Sequence, residues 1–111
     1  MAQNLFAAHV TAGNASAATL YTMPSGTTGS MLNITAYNPT GGALTLTLRV
    51  VENNGDIVVV AVQSIGAGQT FSFSGGSTAR VTLLVLEAGN IVTAQDGSGS
   101  IIVRGSGLQF T

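Results

Sequence analysis

The segment Ala43–Glu52 constrains the fold of this chain more than any other. Leu44, Leu46, Leu48 and Val50 alternate with Thr45, Thr47 and Arg49. A period of two puts the apolar set on one face of an extended strand and the polar set on the other, the pattern of a half-buried strand. Gly41-Gly42 precedes the run and Asn53-Asn54-Gly55-Asp56 closes it. Asn-Gly predicts a two-residue hairpin with a type I′ turn, whose central residues both need φ > 0. Ala43–Glu52 is therefore expected to pair antiparallel with Ile57–Ile65.

The same period recurs along the chain. Leu32, Ile34 and Ala36 alternate with Asn33, Thr35 and Tyr37 in Met31–Asn38, before an Asn38-Pro39-Thr40-Gly41 turn. Phe71 and Phe73 alternate with Thr70, Ser72 and Ser74 in Gln69–Ser74. Further strands are predicted at Leu5–Thr11, Leu20–Met23, Val81–Leu86, Ile91–Asp96 and Ser100–Gly105, the last two joined as a second hairpin through Asp96-Gly97-Ser98-Gly99. Helical spacing is almost absent. About eight short strands with turn signals every 8–12 residues or so predict an all-β, antiparallel sandwich or small barrel. At 111 residues the expectation is one domain spanning 1–111. A chain of that length buries roughly two-thirds of the surface it exposes unfolded. Residues 1–17 are read either as an N-terminal arm or as the first strand.

Three strands are apolar on both faces: Ile57–Val62, Val81–Leu86 and, more weakly, Ile101–Val103. A two-layer sandwich needs only one apolar face per sheet. The second face calls for a sandwich corner, a loop, an arm or another subunit. Composition favours the subunit. Only 6% of residues are charged and none is lysine, against roughly 25% Asp, Glu, Lys and Arg in an average soluble domain. Charge keeps free monomers apart, so a chain that omits it is expected to spend its working life against other protein.

The same composition excludes several kinds of chemistry. A net charge of −1 from three arginines and four acids leaves no basic stripe for nucleic acid. No cysteine is present for disulfides or thiolate metal sites. The opening Met1-Ala2-Gln3-Asn4 predicts no secretory signal, and the longest apolar stretch, Ile57–Val62, is far below the roughly 20 residues that span a bilayer. His9 is the only histidine and has no nucleophile motif beside it, so neither a catalytic triad nor a histidine metal cluster is expected. Glu52, Asp56, Glu87 and Asp96 each fall at a strand end or turn, where carboxylates occur without catalytic work, and Asp96-Gly97-Ser98-Gly99 lacks the acid density of a calcium loop. Gly97-Ser98-Gly99 and Gly105-Ser106-Gly107 have no following lysine or helix and are read as turn glycines, not phosphate loops. The reading is a protein that is no enzyme and carries no cofactor or metal.

Leu20-Tyr21-Thr22-Met23-Pro24-Ser25-Gly26-Thr27-Thr28-Gly29 resembles the "LYTVPAGKT" opening of small tailed-phage virion proteins, where a strand ending in a Pro-Gly turn leads to one like Leu32–Asn38. Leu84-Val85-Leu86-Glu87-Ala88-Gly89-Asn90-Ile91 is similar to their "LxLxAGDxI" element, with Asn90 in place of the usual Asp. Val103-Arg104-Gly105-Ser106-Gly107-Leu108 is similar to their closing "VxGxE" strand, without the acid. The resemblance covers roughly residues 18–108, through short motifs. It implies a jelly-roll sandwich and a capsid cement (decoration) protein that binds the assembled phage head. The implied partners are the major capsid protein and itself, as a homotrimer on the virion surface after synthesis in the host cytoplasm. The expected contacts are Leu5, Phe6 and His9 near the N-terminus, Val58, Val60 and Val62 or the opposite row of the same doubly apolar strand, and Leu108 and Phe110 near the C-terminus. The competing expectation is a head-fibre or tail module that recognises a host-surface glycan, for which Tyr21 and Tyr37 are the available tyrosines.

Overall fold

The computed structural model describes residues 3–14, 16–73 and 84–110. Among them run nine strands: β1 (Gln3–Thr11), β2 (Ala18–Thr22), β3 (Thr28–Tyr37), β4 (Leu44–Val51), β5 (Ile57–Ile65), β6 (Thr70–Ser72), β7 (Leu84–Leu86), β8 (Ile91–Gln95) and β9 (Ile102–Phe110). They form two sheets. Sheet A has the order β1-β9-β3-β6, with β7 also paired to β3, and sheet B has the order β2-β8-β4-β5. Every strand pairing within them is antiparallel.

Strands β6 and β7 share one lane. β9 runs along the whole of β3 and occupies one of its edges. β6 pairs Thr35–Tyr37 and β7 pairs Gly29–Met31, both on the other edge. Counting that broken lane once, the chain visits the sheets in the order A, B, A, B, B, A, B, A. That is the wiring of an eight-stranded jelly roll, and it explains why about eight strands are expected and nine are found. Of the expected strand Val81–Leu86, residues 81–83 lie outside the described residues, as does Ser74 of Gln69–Ser74.

The inward faces supply one core. Ile34, Ala36 and Val103 of sheet A face Leu46, Leu48, Val50, Val92 and Ala94 of sheet B. Met23, Phe73 and Leu86 are fully buried with them, and Phe71 meets Phe73 edge-on at 4.9 Å between ring centroids. Full burial of side chains of this size stabilises by about 1.5–3 kcal/mol each. Among the described residues one polar side chain is fully buried with them. Asn38 is fully buried, donates to Gly42 O (2.8 Å) and Ile65 O (2.9 Å), and accepts from the backbone N–H and hydroxyl of Thr40. It thereby ties the end of β3 to the start of β4 and the end of β5.

The expected hairpin of β4 and β5 is present, from Val51↔Ile57 to Leu44↔Ile65. Its turn differs from the type I′ expectation. Gly55 N–H donates to Glu52 O (2.9 Å) and Glu52 N–H to Asp56 O (2.8 Å). Gly55 alone in the turn has positive φ, at 91°. This is a type I turn closed by a left-handed glycine, the three-residue hairpin solution, and Asn53 and Asn54 need no φ > 0.

The second expected hairpin is absent. β8 belongs to sheet B and β9 to sheet A, so Asp96-Gly97-Ser98-Gly99 is a corner that carries the chain across the sandwich. Asp96 builds it. Its buried carboxylate accepts from the backbone N–H of Ser98 and Gly99 on Oδ1, and of Ser100 (3.1 Å) and Ile101 (2.8 Å) on Oδ2. A hairpin would use those amides in a ladder; here one side chain satisfies them.

Residues 3–11 are the first strand, paired residue by residue with β9 from Gln3↔Phe110 to Thr11↔Ile102. Leu108 and Phe110 lie in β9, a strand flanked on both sides by β1 and β3.

Candidate functional site

Because side chains alternate along a strand and paired residues share a face, the registers assign each residue to the core or to an outer face. The outer face of sheet B carries an apolar stripe on β5. Ile57 pairs with Val51, Val59 with Arg49 and Val62 with Thr47, all opposite the buried set Leu46, Leu48 and Val50. Ile57, Val59 and Val62 are 62%, 54% and 55% exposed.

The sequence pattern places Val58, Val60 and Val62 in one row; the structure does not. The β4–β5 register slips between Leu48↔Ala61 and Arg49↔Val59, leaving Val60 as the extra residue of a β-bulge. A bulge re-phases the strand beyond it. Val60 therefore packs against the core. Val58 pairs with buried Val50 and remains 45% exposed. Only Val62 of the three joins the outer stripe, with Ile57 and Val59 of the other row. A run of β-branched residues carries no local cue to where such a bulge falls.

β5 is also the edge strand of its sheet. It contains no charge and no proline, the devices that usually blunt an edge against further pairing. Arg49 is the one charged residue among those the registers place on this outer face. It lies over β8, where its Nη1 donates to Gln95 Oε1 (2.8 Å), and Gln95 Nε2 donates on to Asn14 O (2.7 Å). The stripe on β5 is left uncharged.

The outer face of sheet A is different. His9, Arg104 and Thr35 stand in register across β1, β9 and β3, and the next row is Ala7, Ser106 and Asn33. The small side chains of Ala7 and Ser106 between larger neighbours leave an open groove of about 410 Å³, reaching from His9 and Arg104 to Asn33. A second groove of about 470 Å³ continues it toward Leu5 and Gly107. On the other side of Arg104, the row Thr11, Ile102 and Tyr37 brings Tyr37, 41% exposed, onto the same face. Leu5 is 83% exposed there, paired with Leu108. Phe6 faces the other way and stacks on Tyr21, with centroids 4.2 Å apart and planes 13° from parallel. Tyr21 Oη donates to Gln109 Oε1 (2.6 Å), and burial raises its pKa.

The expected contact residues thus divide. Leu5, His9 and Leu108 share the outer face of sheet A, Val62 marks that of sheet B, and Phe6 and Val60 are turned inward. The groove was not legible in the sequence, because His9, Asn33 and Arg104 meet only through the pairing of β1, β9 and β3. Among the described residues no group of three or more His, Cys, Asp or Glu is gathered as for a metal ion.

No protein-family model matches this chain, and no curated protein matches it in sequence. Among solved structures it is similar to a chain of Bacillus endospore appendages, described as a novel family of disulfide-linked pili. The TM-score is 0.51 at 16% identity, over 99% of this chain and 87% of that one. It is less similar to the VP2 protein of infectious bursal disease virus, with a TM-score of 0.33 at 12% identity, over 96% of this chain and 31% of that one. The first likeness is one of fold.

Proposed function

We propose that this protein is a structural subunit that works docked within a larger protein assembly, and specifically that it is a decoration protein of a tailed-phage head. The observation that carries the reading is the exposed stripe Ile57, Val59 and Val62 on an uncharged edge strand. Apolar surface buried against a neighbour contributes about 25 cal/mol per Å², and nothing charged on β5 opposes its desolvation. The virion-like motifs in residues 18–108 point the same way. The pilus chain of like fold forms a disulfide-linked polymer; these 111 residues offer no cysteine for such a link, so non-covalent docking is the mode available.

The mechanism is mass action. A protein that binds the assembled lattice and not its dispersed subunits stabilises the lattice by RT ln(1 + [L]/Kd), about 2.7 kcal/mol per site at one hundred times Kd. The major capsid protein and further copies of this chain, as a trimer, are the partners under this reading.

The test looks for a major capsid protein encoded beside this one, whose absence would count against the decoration role, and uses heads assembled from it. The purified protein is mixed with them and the heads are pelleted through a cushion. Wild type is expected in the pellet at saturating stoichiometry, and Val59→Lys combined with Val62→Lys in the supernatant. Wild type left in the supernatant, and monomeric by mass, would sink the decoration role. Binding of the double variant equal to wild type would remove β5 as its surface.

A further inference from the structure

We propose that the groove on the outer face of sheet A is a binding site for a saccharide that carries a carboxylate. The inference stands apart from the assembly reading, which concerns the opposite face.

The charge on this face selects the ligand's sign. Arg104 sits at the centre of the row His9, Arg104, Thr35. None of the residues that the registers place on the outer face of sheet A is acidic. The four acids of the chain lie elsewhere: Glu52 and Asp56 in the β4–β5 turn, Glu87 after β7, and Asp96 committed to its own corner. Arg104 is an exposed guanidinium whose planar fork matches a carboxylate.

The rest of the face selects the ligand's class. Directly opposed side chains lie about 5 Å apart across strands and about 7 Å apart along one. Hydroxyl groups of Thr35 and Ser106 therefore fall within one sugar ring's reach of Arg104. Tyr37 stands one row beyond, an exposed aromatic face for the apolar side of a neighbouring ring. The adjoining 470 Å³ groove toward Leu5 and Gly107 takes a substituent of apolar character. Strand addition of a peptide needs a free backbone edge; β9 and β3, which carry Arg104 and Thr35, have both edges paired, and of the groove's strands β1 alone lies at an edge. A few convergent polar groups in a shallow, otherwise small-residue groove suit a hydroxyl-rich ligand.

The experiment titrates the protein with 3′-sialyllactose, with tri-galacturonate, with lactose as the neutral counterpart and with poly-L-glutamate as a stand-in for an acidic protein surface. At least one acidic saccharide is expected to bind roughly tenfold or more above lactose, with affinity falling as salt rises. Arg104→Gln is expected to remove that preference, a loss of roughly tenfold or more. Tyr37→Ala is expected to weaken every saccharide while the preference for the acidic one persists. Val59→Lys, on the other sheet, should leave binding unchanged. Arg104 in the groove and Tyr37 beside it are both exposed, so unaltered melting curves are expected to show that the variants fold. Three outcomes would overturn the site: no acidic saccharide saturating by about 10 mM, binding that Arg104→Gln leaves intact, or binding of poly-L-glutamate alone, which would assign the groove to an acidic protein partner.

Discussion

Replacing Asp96 by asparagine removes one charge and redirects one atom, yet it reaches the wiring of the whole sandwich. In the wild type each carboxylate oxygen accepts from two backbone N–H groups. An asparagine keeps one oxygen and turns an NH₂ toward the other pair of donors. Two bonds to a charged acceptor are lost, each worth about 1.5–3 kcal/mol, and either Ser98 and Gly99 or Ser100 and buried Ile101 are left with N–H groups facing an NH₂. Allowing for relaxation of the glycine-rich corner, the expected loss is about 3 kcal/mol. For a chain of this length that lowers Tm by about 13 °C. The pH dependence separates the charge from the shape. Burial works to raise the Asp96 pKa, but the hydrogen bonds from Ile101, Ser98, Gly99 and Ser100 outweigh it, and the group is held below the ordinary 3.8 of an aspartate. A depressed carboxylate stabilises the fold above the unfolded value, and that contribution is lost as pH falls through the folded one. Denaturant unfolding of both proteins should therefore show the full gap between pH 5 and 7 and a shrinking gap below pH 3.8. A gap under about 0.5 kcal/mol at pH 6, or one of equal size at pH 2, would refute the account of the corner.

Asn38→Ala deletes a buried side chain that bonds Gly42 O, Ile65 O and Thr40. It should cost about 3 kcal/mol in the same assay, because the buried Ile65 carbonyl loses its donor and the bonds to Gly42 and Thr40 go with it. Gly55→Ala should cost about 1 kcal/mol. An added Cβ there meets nothing within 4 Å and only the φ of 91° opposes it, whereas Gly41→Ala, equally open and without a positive φ, should cost nothing.

The sandwich was legible because alternation survives in most strands. Leu46, Leu48 and Val50 are buried where the period puts them, as are Ile34 and Ala36, and the β4–β5 hairpin follows from its Asn-Gly turn. What was not legible depends on choices a local pattern does not make. Asp-Gly-Ser-Gly suits a hairpin and a corner equally well. The corner wins because Asp96 can satisfy the amides of residues 98–101 from inside, which frees β8 and β9 to enter different sheets. The bulge at Val60 is hidden in a run of valines, and it decides which valines reach solvent. Nor does sequence distance reveal that His9, Asn33 and Arg104 are neighbours, since their meeting requires the first and the last strand to pair with each other beside β3.

The two outer faces of a sandwich look in opposite directions, so the uneven surface of this molecule gives it an orientation. Among the described residues, one face has the uncharged β-branched side chains of an edge strand, with its arginine, Arg49, tied to Gln95 over β8; the other has Arg104, His9 and the open Tyr37. A subunit seated in an assembly through sheet B turns sheet A outward, with His9, Arg104 and Tyr37 facing the medium. The two proposals therefore make a joint prediction that neither makes alone. Particles decorated with wild-type protein should capture an acidic saccharide in multivalent fashion, and soluble 3′-sialyllactose or tri-galacturonate should compete for that capture without releasing the subunit. Release of the subunit by the saccharide would place both contacts on one face and overturn one of the two assignments. The scarcity of charge then has a physical reading: on β5 its absence permits docking, and on β9 the single cation at Arg104 stands out because so few others surround it.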